Sequence, residues 1–142
     1  MEAERQAFHQ AIGAVNESSA MARRILFVPV SIPVNMPDKR PFQSAVDENI
    51  RSCRYYIQVF GNNPWPEHRN FAHDYALALV CASDPALPMC EVVALAANAS
   101  QTGDRDATVN LAHRVLEYST IEEFSSRCQE LLSVWLPTVA CQ

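Results

Sequence analysis

A chain of 142 residues is the size of one domain and is long enough to bury a core. With 49% hydrophobic and 19% charged residues it reads as globular rather than disordered, and a net charge of −5 excludes a general nucleic-acid binder, which needs a basic surface. The opening residues, with Glu2, Glu4 and Arg5, lack the apolar centre of a signal peptide. No apolar run approaches the ~20 residues of a membrane span, so the cytosol is the expected location.

Residues 2 to 16 form the first predicted helix, with Phe8, Ile12 and Val15 on one face and an acidic first turn. Residues 16 to 19 read as a polar break. Arg24 to Ile32 reads as a strand, and Pro29, having no N–H, puts it on a sheet edge. Pro33, Pro37 and Pro41 make the next stretch a stiff loop. Ser44 is a predicted cap for a second helix, in which Val46, Ile50 and Cys53 share a face. Arg54 to Phe60 is a continuous apolar strand of the kind found in a sheet covered on both sides.

A turn-rich loop from Gly61 to Pro66 leads into a helix over residues 68 to 82. Its second half is apolar nearly all round, which predicts deep burial. Met89 to Ala97 is a strand. Residues 98 to 112 favour a loop with a short helix near its end, and Arg114 to Tyr118 is a last strand. Thr120 and Glu123 fit a capping box for the closing helix. That helix carries Phe124, Leu131 and Trp135 on one stripe and should stop at Pro137.

Strands separated by helices pair in parallel, so the expected fold is a single α/β domain over residues 1–142: three layers around a mostly parallel sheet of about four strands, flavodoxin-like. In such sheets, sites form beyond the carboxyl ends of the strands. The polar residues gathered there are the candidate binding set. They are Ser31, Asn35, Lys39 and Arg40 after the first strand, Trp65, His68 and Arg69 after the second, and Asn98 after the third. Glu67 and Asp74, at the start of the following helix, are the candidate catalytic acids, although acids at a helix start also serve its dipole.

Several chemistries lack their residues. Three glycines are too few for a Walker loop or a dinucleotide fingerprint. His68 and His73 lie about 140° apart around a helix and cannot share a metal, so no metal site is expected. There is no G-x-S-x-G elbow. The five cysteines contain no C-x-x-C and read as reduced thiols, with Cys53 in the core rather than a nucleophile.

The stretch from Val46 to Phe60 (VDENIRSCRYYIQVF), followed by Trp65 and by Phe71 to Ala78 (FAHDYALA), resembles the TIR-like, nucleoside-deoxyribosyltransferase-like group of bacterial domains. There a helix ending in Ile…Cys enters a Tyr-Ile-x-Val strand, and an acid-Tyr-x-x-Ala motif opens a later helix. Glu2 to Arg5 is similar to the Glu-Glu-Arg element that follows the group's first strand. That strand would precede Met1, which leaves a fragment, a mis-started reading frame or a variant as readings. A missing strand implies an exposed apolar edge or a dimer that fills it.

The resemblance implies a signalling or interaction domain with a protein partner or self-association, and no cofactor. Its enzymatic members use a glutamate at the sugar carbon in N-glycosidic cleavage. Here the aligned acid is Asp74, one methylene shorter, with Glu67 as the other candidate. The rival reading is therefore an N-glycosidase or ribosyl transferase with NAD or a nucleoside as substrate.

Overall fold

Alternation of helical and strand periodicity along the chain produces a mixed α/β protein. Its computed structural model describes residues 2–30, 42–61, 71–97 and 111–140. The helices are α1 (Glu2–Val15), α2 (Phe42–Ser52), α3 (Phe71–Ala82) and α4 (Ile121–Ala140), and the strands are β1 (Tyr55–Phe60), β2 (Glu91–Ala97) and β3 (Arg114–Tyr118). The sheet has the order β1-β2-β3. β1 and β2 are parallel, with Tyr55 opposite Glu91 and Phe60 opposite Ala96. Two compact units divide the chain, one of residues 1–29 with 117–142 and one of residues 30–116.

In the first unit α1 packs along α4. Ala7, Ala11, Ile12 and Val15 supply the buried stripe of α1, and Phe124, Cys128, Leu131, Leu132, Trp135 and Leu136 that of α4. The Tyr118 ring meets Phe124 edge-on, with centroids 5.0 Å apart. Its hydroxyl donates to Glu4 Oε1 at 3.3 Å. The expected capping box forms with one change. Glu123 N–H donates to Thr120 Oγ1 at 3.1 Å, but the Glu123 carboxylate reaches past Thr120 to accept from the Ser119 amide at 2.8 Å. Pro137 does not stop α4, which runs on to Ala140. Proline removes one hydrogen bond of the helical ladder, and the buried Trp135 and Leu136 hold the preceding turn in place.

The polar stretch after α1 does not break the helical path either. It continues as a widened π turn over Asn16–Ala20 and a tight 3-10 turn over Met21–Arg23. The path ends at Arg24, whose φ of 61° is left-handed. The Arg24 amide donates to Met21 O and the Ile25 amide to Ala20 O, each at 3.0 Å, which is the Schellman pattern with arginine where glycine is usual.

Beyond Arg24 the expected strand does not join the sheet: residues 24–30 form no ladder. Asn16 pairs with the segment instead. Its Nδ2 donates to Phe27 O at 2.9 Å and its Oδ1 accepts from Phe27 N–H at 2.9 Å, so one side chain takes the place of a neighbouring strand. Among the described residues the sheet has three strands, in keeping with the expected α/β fold.

In the second unit, Val46 and Ile50 of α2 and Tyr75, Ala78 and Cys81 of α3 pack with Met89 and Val92 into one core. Cys53 lies partly buried beside it. β2 is buried from Val92 to Ala97, whereas β1, expected to be covered on both sides, is mostly half-buried because it lies at the end of the strand order. α2 starts at Phe42, so Ser44 sits inside the helix and is not its cap. α3 is one-sided despite its composition. It buries Tyr75, Ala78 and Cys81 and leaves Val80 65% exposed.

Candidate functional site

Asp74 is the one sequence-predicted site residue among those described. Glu67, Ser31, Asn35, Lys39, Arg40, Trp65, His68, Arg69 and Asn98 lie outside them. Asp74 stands in the first turn of α3 and is only 2% exposed. The amphipathic pattern of α2 presents Gln43 and Asp47 four residues apart, on one face and toward α3. Gln43 Nε2 then donates to Asp74 Oδ1 at 2.8 Å and to Asp47 Oδ1 at 2.9 Å. His73 Nε2 lies 3.2 Å from the same Asp47 oxygen. Beside this network the Tyr75 ring packs edge-on against Phe60 at the carboxyl end of β1, 5.5 Å between centroids.

Asp47, His73 and Asp74 bring one possible ligand atom each within 4.8 Å of one another. Neither Asp47 nor Gln43 stood out in the sequence, because the pair gains meaning only when α2 meets α3. The nearest signal was the four-residue spacing of Gln43 and Asp47. The Gln43 amide bridges both carboxylates. The arrangement is that of a tie between two helices, in which a carboxylate receives charge-assisted hydrogen bonds and is shielded from solvent.

The Cys53 and Cys81 thiols are not activated. Burial pushes the Cys53 thiol up. Burial also raises Cys81, with the Arg51 guanidinium opposing and the Asp84 carboxylate adding to the rise. A nucleophilic cysteine needs the opposite shift. Cys128 is buried and Cys90 is exposed.

Comparison with protein-family models, curated proteins and solved structures finds no match. No described helix is long and apolar enough to cross a membrane.

Proposed function

We propose that this chain is a cytosolic, TIR-like interaction module that assembles with another protein chain. The observation that supports this reading is the exposed apolar row after Arg24. Leu26, Val28 and Val30 are 62%, 67% and 55% exposed, while the residues between them are half-buried. Single exposed apolar side chains are ordinary, and a row of them in one short segment supports a contact surface. The rival reading, cleavage of NAD or a nucleoside, needs an acid open to the sugar carbon. The burial of Asp74 and its bond from Gln43 count against that role.

A benzophenone amino acid at position 28 tests the interaction reading. Irradiation in cells should give a discrete higher-mass adduct, and the same probe at the exposed Val80 should not. No adduct at position 28, or equal adducts at both positions, would sink it. A parallel incubation with NAD and nucleosides should release no nicotinamide or base. Release abolished by Asp74→Asn would replace the interaction module with the glycosidase.

A further inference from the structure

We infer that the partner of residues 25–30 is a second copy of the same segment, paired antiparallel about a two-fold axis at Val28. This rests on the reading of the chain as an interaction module and names the occupant of that surface.

The backbone geometry supplies the first argument. In an extended chain the N–H and C=O of one residue point to the same edge, and those of the next residue to the other. Asn16 meets both groups of Phe27 at once, which fixes the backbone there as extended. The Ile25 amide is likewise taken, by Ala20 O. The odd-numbered edge therefore offers no free N–H, since Ile25 and Phe27 donate elsewhere and Pro29 has none. The even-numbered edge keeps every donor. Leu26, Val28 and Val30 make no hydrogen bond among the described residues.

The side chains supply the second. A strand docking on this edge must be uncharged and apolar at alternate positions. The segment meets that requirement itself and is symmetric about its centre. Antiparallel pairing sets Leu26 opposite Val30 of the other copy and Val28 opposite itself. Each is an apolar cross-strand pair, and the same patch serves both copies.

Charge decides the direction. Residues 25–30 carry none, but Arg23 and Arg24 precede them. Parallel pairing would bring the four guanidinium groups of two copies together, whereas antiparallel pairing sends each pair to an opposite end. A ribbon of this length buries less than the roughly 1,200 Å² below which complexes are weak or transient, so the association should depend on concentration.

Sedimentation of the full chain across a micromolar to millimolar range tests this. The wild type should pass from monomer to dimer. Val28→Asp and Val28→Lys should each weaken the dimer about tenfold or more, because like charges then stand directly opposite. Mixing the two variants in equal amounts should restore it as a heterodimer. A general effect on solubility would not be rescued by mixing. A wild type that stays monomeric, a dimer that survives either substitution, or a mixture no tighter than its parts would each overturn the inference. The position-28 adduct separates the two levels. An adduct with a different protein refutes the second copy and leaves the interaction module standing, and no adduct refutes both.

Discussion

His113 and Val92 close a two-membered ring of hydrogen bonds between their main chains and one imidazole. The His113 amide donates to Val92 O at 3.0 Å, and the Val92 amide donates to His113 Nδ1 at 3.1 Å. The acceptor role fixes the tautomer, with the ring proton on Nε2. An exposed histidine thus satisfies a wholly buried amide at the entry to β3. His113→Ala leaves that amide without a partner and should destabilise the fold by about 1–3 kcal/mol in urea melts. His113→Asn, whose side-chain oxygen can accept in the same place, should recover part of the loss. Equal losses in the two variants would mean the imidazole acts by packing.

The Gln43–Asp74 tie should be measurable as a coupling. Asp74→Ala removes a charged acceptor for the half-buried Gln43 amide and should lower stability by about 1.5–3 kcal/mol. A double-mutant cycle with Gln43→Ala should give an interaction energy of about 0.5–3 kcal/mol. Additive single losses would show that Asp74 is held by other contacts. Divalent cations should leave the melting temperature unchanged, since the Gln43 amide already bridges the carboxylates. A rise of several degrees with one metal would assign Asp47, His73 and Asp74 as its ligands.

Arg24 holds a left-handed backbone angle at the end of its helical path. A side chain with a Cβ is strained there by about 1–2 kcal/mol, and glycine is not. Arg24→Gly should therefore raise stability, by about 0.5–1 kcal/mol once the greater freedom of an unfolded glycine is subtracted. A loss instead of a gain would mean that the guanidinium makes a compensating contact.

Stability should fall in alkali for a defined reason. Burial pushes the Cys128 thiol from 9.0 up to about 12. Burial, the Glu4 charge and the hydrogen bond to Glu4 push the Tyr118 hydroxyl from 10.0 up to about 12. The unfolded chain sheds these protons first. The contribution is complete below pH 9 and is lost progressively as pH rises toward 12. The slope of melting temperature against pH above 9 should flatten in Cys128→Ala, whatever its absolute stability. An unchanged slope would show that the thiol stays neutral in both states.

Much of the α/β pattern was visible in the residues. The stripe Phe124, Leu131 and Trp135 is buried as its spacing predicts, and β3 has the expected bounds. These elements obey one dominant rule, hydrophobic periodicity. The segment from Arg24 differs because one of its edges meets a side chain that local periodicity does not reveal, Asn16, eleven residues before Phe27. Pro137 misled because a helix already held by packing tolerates one missing bond. Of the candidate site, Asp74 was legible as a polar residue near a strand end. Its bond from Gln43, on another helix and 31 residues earlier in the sequence, was not.

The pairing of Asn16 with Phe27 carries one more consequence. Short apolar segments with two open edges can add copies on both sides and grow without limit, as in fibrils. Here one edge is stoppered by a carboxamide and by a residue that has no donor. With the pairing inferred above, growth through this segment would stop at two chains. Asn16→Ala would uncork the far edge at Phe27, leaving Pro29 as the remaining guard against open-ended stacking.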